Sequence, residues 1–235
     1  MSYNIERLED TLNGDYHGVY YDVVLKDEYG VRSIKDKEDY KVVIDAGANV
    51  GCFTRYALEQ FPNATIIAIE PNEENFHYLQ KFTKSERVIF VNKAIGSGQL
   101  WHNVGARNGS GESYVSSGIG YHHDAMVDAV KLGAVEFSEI ETVLPAELIK
   151  QYVKPGEKFL VKMDIEGGEH AAFADPESME LMRQADYFCA ELHLYALTGG
   201  IMYDEAAKSI GGAIGEFMKS HDVFLDNVIM RAKRK

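Results

Sequence analysis

From Lys41 onward, short apolar runs alternate with stretches whose apolar residues recur every three or four positions. The runs are Val42-Val43-Ile44, Ala64-Thr65-Ile66-Ile67-Ala68-Ile69, Val88-Ile89-Phe90-Val91, Phe159-Leu160-Val161-Lys162-Met163 and Tyr187-Phe188-Cys189-Ala190. Most are rich in β-formers and lack polar alternation, so they predict strands covered on both faces. The spacing predicts helices near residues 51–61, 73–84, 145–152, 168–183 and 203–220. In the last of these, Ala206, Ile210, Ala213, Ile214 and Phe217 form the stripe that packs on the sheet. Val223-Phe224-Leu225 and Val228-Ile229-Met230 then flank Asp226-Asn227, which predicts an antiparallel pair of short strands at the sheet edge. Strands alternating with helices predict an α/β fold with a mostly parallel sheet.

Two stretches break the rhythm. Residues 1–40 hold Tyr3, Tyr16, Tyr20, Tyr21, Tyr29 and Tyr40, with a hairpin expected about Glu28-Tyr29-Gly30. They read as an N-terminal extension packed on a domain spanning residues 41–235. Residues 96–124 are rich in Gly and Ser, with Trp101, His102, Tyr114, Tyr121, His122 and His123 interspersed. A long irregular segment inside a compact domain is usually functional or disordered. This one reads as a substrate-side insertion, with a plain surface excursion as the alternative. The paired histidines are either exposed or ligands of a metal or substrate.

Composition narrows the class. With 46% hydrophobic residues the chain can close one sizeable core. It has no run of about 20 apolar residues, and its start lacks the order of a signal peptide, so a cytoplasmic protein with no membrane partner is expected. The net charge of −13 argues against nucleic acid as a partner. Arg231, Lys233, Arg234 and Lys235 read as a solvated basic end. Cys52 and Cys189 are too few and too scattered for a disulfide framework. Cys52 opens a predicted helix and is either a reactive thiol or a small residue buried beneath the preceding loop.

The chemistry gathers at predicted strand ends. Val43-Ile44-Asp45-Ala46-Gly47-Ala48-Asn49-Val50-Gly51-Cys52-Phe53-Thr54 runs from a strand through glycines into a helix, which lets a ligand approach the helix N-terminus. A dinucleotide fingerprint starting at Gly47 would need glycine where Asn49 and Cys52 stand. Asp45 sets a carboxylate where a phosphate would be repelled and a sulfonium or ammonium welcomed. Glu70, at the tip of the second strand, can accept from both hydroxyls of a ribose. Asn92, after the third strand, either meets an adenine edge or forms a turn.

With these pieces goes Lys162-Met163-Asp164-Ile165-Glu166-Gly167-Gly168-Glu169, and from Lys41 to His193 the chain resembles the FkbM family of S-adenosylmethionine (SAM) dependent methyltransferases. The resemblance runs through the glycine loop, Ile69-Glu70-Pro71, Asn92-Lys93-Ala94-Ile95-Gly96, Asp164-Ile165-Glu166-Gly167 and Glu191-Leu192-His193. It implies a class I Rossmann-like fold, a mostly parallel seven-stranded sheet with helices on both faces. SAM would then lie across the carboxyl ends of the first strands. The expected cofactor contacts are Asp45, Gly47, Asn49, Gly51, Phe53, Thr54, Glu70, Pro71, Asn92, Ala94 and Asp164. The reaction implied is O-methylation of a small hydroxylated molecule, such as a sugar or secondary metabolite. Two alternatives remain: an idle SAM-fold binding module, and a nicotinamide-dependent oxidoreductase with a broken glycine pattern.

Asp164 is expected at the end of the fourth parallel strand, and Glu191 and His193 at the end of the fifth. His193 is then the first choice for general base, with Asp164 orienting the acceptor or acting as base instead. Asp164, Glu191 and His193 could alternatively hold a divalent ion, Mg²⁺ or Ca²⁺ by their oxygen-rich character. Glu166 and Glu169 also read as ordinary helix N-terminal charge.

Overall fold

Alternation along each strand decides which layer its side chains join. The structure is a computed structural model that describes residues 17–96, 100–103, 115–117, 137–193 and 202–235. Its strands are β1 (Tyr40–Ala46), β2 (Thr65–Ile69), β3 (Val88–Val91), β4 (Ala94–Ile95), β5 (Leu100–Asn103), β6 (Val115–Ser117), β7 (Phe137–Ile140), β8 (Thr142–Val143), β9 (Lys158–Met163), β10 (Tyr187–Glu191), β11 (His221–Asp226) and β12 (Ile229–Arg234). The longer helices are α1 (Cys52–Gln60), α2 (Glu73–Phe82), α3 (Pro145–Tyr152), α4 (Glu169–Ala174), α5 (Pro176–Met182) and α6 (Met202–Met218). Val42 and Ile44 of β1, Val161 and Met163 of β9, and Phe188 of β10 join one apolar cluster, to which α3, α5 and α6 add Leu148, Met182, Ile210, Ala213 and Phe217. The intervening Val43, Leu160 and Cys189 join the other, built with Phe53 and Tyr56 of α1 and Leu79 of α2. A fully buried large apolar side chain contributes roughly 1.5–3 kcal/mol, so covering both faces is what unbroken apolar strands require.

Seven strands form one sheet in the order β11-β12-β10-β9-β1-β2-β3. β3, β2, β1, β9 and β10 run parallel. β12 runs antiparallel between β10 and β11. This is the class I Rossmann-like arrangement with its antiparallel C-terminal strands. The strand order reverses between β1 and β9, and the crevice at the carboxyl ends of such a switch point is where ligands bind in open α/β sheets.

Three local expectations need correction. Residues 26–33 do not form a hairpin: a π-helical turn (Tyr21–Leu25) leads to a turn closed by the Gly30 N–H on the Asp27 carbonyl at 2.8 Å. Arg32 donates to the carbonyls of Leu25 (3.1 Å) and Val24, and its N–H donates to Asp27 (3.0 Å). Side chains thus satisfy groups that a strand ladder would have paired, while Val23, Tyr29, Val31 and Ile34 sink into the second cluster. The helix expected over 168–183 is split, because Pro176 starts α5 and Asp175 caps it by accepting from the Ser178 N–H at 2.7 Å. The basic C-terminus is solvated at Lys233, Arg234 and Lys235, as expected, but it is not a loose tail. Arg231, Lys233 and Arg234 belong to β12, where Arg231 Nε donates to the Glu28 carbonyl at 2.8 Å and Arg234 to the Gln184 carbonyl at 2.9 Å.

The 96–124 segment contributes β5 and β6. β5 pairs antiparallel with β6 and β7, and β4 pairs parallel with β8. Tyr3, Tyr16, Tyr114, Tyr121, His122 and His123, and the side chains of Trp101, His102 and Ala206, lie outside the described residues. No helix among the described residues is long and apolar enough to cross a membrane.

The tips of β1 and β9 meet at Gly47. Its φ is +77°, and a Cβ there would stand 1.7 Å from the Asp164 carbonyl oxygen. A left-handed backbone costs an L-residue roughly 1–2 kcal/mol and overpacking roughly 1–3 kcal/mol more. Gly47→Ala is therefore expected to lower Tm by roughly 5–20 °C, at roughly 2–4 °C per kcal/mol for a chain of this size. A thermal melt that superimposes on the wild type would show that the two tips can part freely.

Candidate active site

Strand register builds one row of polar side chains across the sheet. Asp45 stands beside Lys162, Lys162 beside Cys189, and Cys189 beside Arg231. Asp45 is 0% and Lys162 3% exposed. The Lys162 ammonium lies 3.4 Å from Asp45 Oδ1 and 3.7 Å from Asp164 Oδ2, and donates to the Gly47 carbonyl at 2.8 Å. It also stands 5.7 Å and 5.8 Å from the ring centroids of Tyr29 and Phe53. Burial disfavours its charge, but Asp45 and then Asp164 outweigh burial and hold it above the usual lysine value. Burial likewise pushes the Asp45 carboxyl up, while Lys162 and the Thr54 hydroxyl, donating at 2.5 Å, pull it back.

That row corrects two expected cofactor contacts. Asp45 and Thr54 are fully buried and do not line the cavity described below. Asp45 spends its charge on Lys162, so its influence on a ligand is indirect.

A cavity of about 520 Å³ opens at the carboxyl ends of the strands where their order reverses. That volume lies in the usual range for small-ligand sites. Gly47, Asn49 and Phe53 line it from the first loop, Glu70 and Pro71 from the end of β2, and Lys93, Ala94 and Ile95 from the third strand's exit. The N–H groups of Gly47 and Ala48 donate to the Ile69 carbonyl at 3.0 Å and 2.9 Å. Glu70 accepts from the Asn49 N–H at 2.8 Å and the Asn72 N–H at 2.9 Å. Burial pushes the Glu70 carboxyl up to about 7, and those N–H groups offset only part of the rise.

Two further expected contacts take other roles. Gly51 has φ +97°, and a Cβ there would meet Thr83 Oγ1 at 2.5 Å and Leu79 Cδ1 at 2.9 Å, so this glycine lets α1 approach α2. The Asn92 amide donates to the carbonyls of Glu70 (2.9 Å) and Pro71 (3.2 Å), which ties the end of β3 to the end of β2. Neither residue lines the cavity.

At the opposite end, the structure brings Asp164, Glu191 and His193 together, with one ligand atom from each within 4.8 Å of the others. Asp164 and Glu191 line the cavity, and His193, 2% exposed, stands behind them. Its Nδ1 is 2.9 Å from Glu169 Oε1, which also accepts from the Ile165 N–H at 3.0 Å. Its Nε2 faces Glu166 at 3.4 Å, Glu191 at 3.7 Å and Asp164 at 3.8 Å. Burial alone would lower the imidazole pKa, but Glu169 first, then Glu166 and Asp164, raise it to about 9. A raised pKa favours the imidazolium, which has no lone pair to accept a proton, so with no cation present the surrounding carboxylates work against the neutral ring expected of a general base.

Sequence reasoning missed Glu28, Tyr29 and Lys162. Glu28 lines the cavity, and burial, then Asp22, Glu191 and Asp164, push its carboxyl up to about 7. The Tyr29 hydroxyl donates to Asp164 Oδ2 at 3.0 Å. Glu28 and Tyr29 come from an aperiodic segment, so no pattern could aim them at the site. Lys162 did carry a signal, as the one charge within an apolar strand run. Cys52 is buried and its thiol is pushed up to about 11, so it is a packing residue rather than a reactive one.

Two measurements check this electrostatic picture. Removing one partner of a buried ion pair typically costs roughly 3–5 kcal/mol. Lys162→Met should therefore lose stability of that order in denaturant unfolding, and adding Asp45→Asn should recover part of it. In chelator-treated protein, the His193 imidazole should titrate near 9 by NMR. Glu169→Gln should bring it down by one unit or more toward the ordinary value of about 6.5. An unmoved titration would assign the shift to the other carboxylates.

The family model described as the methyltransferase FkbM domain matches residues 45–195. A comparison with curated protein sequences gives no match. Among solved structures, a putative rRNA-methylase from Clostridium thermocellum shares 10% identity at a TM-score of 0.47, covering 90% of this chain and 97% of its own. A putative caffeoyl-CoA O-methyltransferase from Staphylococcus aureus shares 8% identity at 0.49, covering 97% and 96%. A SAM dependent methyltransferase from Aquifex aeolicus shares 11% at 0.38, covering 99% and 98%.

Proposed function

The chain belongs to the FkbM methyltransferase family, and from that membership we propose that it methylates a hydroxyl of a small molecule, a sugar or secondary metabolite, using SAM. The observation that carries the cofactor reading is Glu70, a nearly buried carboxylate at the tip of β2 that lines the cavity. Backbone N–H groups hold it in place, and the carboxylate is suited to accept from both hydroxyls of a ribose. Beside it, the left-handed turn at Gly47 and the loop through Asn49 leave backbone rather than bulky side chains against the ligand. Bound SAM supplies a methyl group on a sulfonium and carries no phosphate. Seven carboxylates, Glu28, Glu70, Asp164 and Glu191 among them, line the cavity against Lys26, Lys93, Lys162 and Arg231, a net negative lining that suits a cationic cofactor and opposes a pyrophosphate.

The acceptor is read at the Asp164 and Glu191 end, where residues 41–235 present the methyltransferase domain and the 1–40 extension reaches in through Glu28. Asp164, held by Tyr29 and facing Lys162, orients the acceptor hydroxyl. Glu28 is the group placed to take the hydroxyl proton, because a carboxyl with a pKa near 7 is half ionised at working pH. The 96–124 insertion, from its sequence alone, is the proposed source of acceptor selectivity.

Glu70→Ala should weaken SAM binding roughly 10- to 150-fold, the equivalent of a charge-assisted contact worth about 1.5–3 kcal/mol. The pH dependence follows from the raised carboxyl. Below about 7 Glu70 is protonated and offers fewer acceptor sites, and above it both oxygens accept. SAM affinity should therefore rise between pH 6 and pH 8 in calorimetry, and Glu70→Gln should flatten that rise. NAD should not bind. Glu28→Gln should cut kcat roughly 10²–10⁴-fold with SAM affinity nearly intact. Labelled SAM offered to a panel of hydroxylated acceptors tests the reaction itself, and no transfer to any of them would leave an idle binding module.

A further inference from the structure

We propose that His193, Asp164 and Glu191 form a divalent-cation site at the acceptor end of the cavity. Cation binding itself does not depend on the methyl-transfer reading; only the use made of the cation, holding the acceptor oxygen, rests on it.

The spacing of the donors is the first argument. His193 Nε2 stands 3.4 Å, 3.7 Å and 3.8 Å from oxygens of Glu166, Glu191 and Asp164. The last two separations are too long for hydrogen bonds, which cluster at about 2.7–3.2 Å. They are instead the separations of ligands around a common ion. Donors bound at about 2.1–2.4 Å stand between about 3.0 Å apart, at right angles, and about 4.8 Å apart, when opposite, and 3.7 Å and 3.8 Å fall between those limits. The donor atoms of Asp164, Glu191 and His193 all fall within 4.8 Å of one another, inside that envelope.

The second argument is the support behind the imidazole. Nδ1 is held by Glu169, a carboxylate with 0% exposure that is itself fixed by the Ile165 N–H. A metal-bound histidine characteristically gives its other nitrogen to a carboxylate, which sets the tautomer and aims the ligating nitrogen. Tyr29 does the corresponding work for Asp164 by donating to Oδ2, while Oδ1 is the oxygen nearer His193. The third argument is charge. Among the described residues Lys162 is shared between Asp45 and Asp164, while Asp164, Glu169 and Glu191 gather about one imidazole. The second oxygen of Glu169 is buried with no hydrogen-bond partner. Carboxylates crowded in this way, one of them fully buried, favour a counter-charge. Two carboxylates with one imidazole suit Mn²⁺ or Mg²⁺, and Asp164 and Glu191 line the cavity, so the ion's open positions face the acceptor.

The test is calorimetric titration of the chelator-treated full chain with MnCl₂, repeated with MgCl₂, with free Mn²⁺ followed by electron paramagnetic resonance. One saturable Mn²⁺ per chain is expected. Affinity should fall at least 10-fold in Glu191→Gln and roughly 10- to 100-fold in Glu169→Gln, which leaves the direct ligands in place. Circular dichroism confirms that both variants are folded, and Glu177→Gln, on a distant surface, should bind as the wild type does. Binding of S-adenosylhomocysteine is measured in the same metal-free samples. If it binds and Mn²⁺ does not saturate, or binds Glu191→Gln equally well, the cation site is overturned while the cofactor reading stands. If Mn²⁺ binds as described and S-adenosylhomocysteine does not, the cation site stands and the cofactor reading fails.

Discussion

An ammonium buried beside a carboxylate in the middle of the sheet organises everything at this end of the molecule. Taking Lys162 and Asp45 out of water costs several kcal/mol per ion, and only close geometry and further hydrogen bonds return it. Here the return comes from the site itself. Lys162 donates to the Gly47 carbonyl and faces Asp164 and the rings of Tyr29 and Phe53, while Thr54 donates to Asp45. The pair therefore ties the tip of β1 to the tip of β9, the two strands between which the sheet order reverses. The cavity at that switch point is framed by a charge pair of which Lys162 lines the wall and Asp45 stands behind it.

From that anchor the cavity divides into two electrostatically different ends. Around Glu70 one carboxylate is surrounded by backbone N–H groups, a neutral frame in which a single ionisation changes what can bind. Around His193 several carboxylates crowd one imidazole, and Lys162 is shared between Asp45 and Asp164. The first end is built for recognition through hydroxyl groups. The second end concentrates negative charge, and it is on this contrast, rather than on any one residue, that the proposed placement of cofactor and acceptor rests.

Much of this was legible in the sequence, and the reasons are local. Unbroken apolar runs such as Ile66-Ile67-Ala68-Ile69 can only be strands covered on both faces, and the stripe through Ile210, Ala213 and Phe217 can only face a sheet. The left-handed turn at Gly47 and the acid at Glu70 follow from what a strand-to-helix loop and a ribose demand of any chain. Asp164, Glu191 and His193 were brought together in advance because adjacent parallel strands end side by side.

What only the tertiary structure decided was which partner each charged group met. Asp45 looked like a ligand-facing acid, yet strand register set Lys162 against it and took its charge. His193 looked like a neutral base, yet four carboxylates from two strand ends and one helix surround it and, with no cation present, favour its protonated form. Arg231 looked like part of a solvated end, and Glu28 and Tyr29 like parts of a hairpin, until β12 inserted between β10 and β11 and the aperiodic segment folded over the site. Periodicity and turn chemistry are written in neighbouring residues, so sequence determines them. Ionisation is set by burial and by charges distant along the chain, so it exists only once the chain has closed on itself.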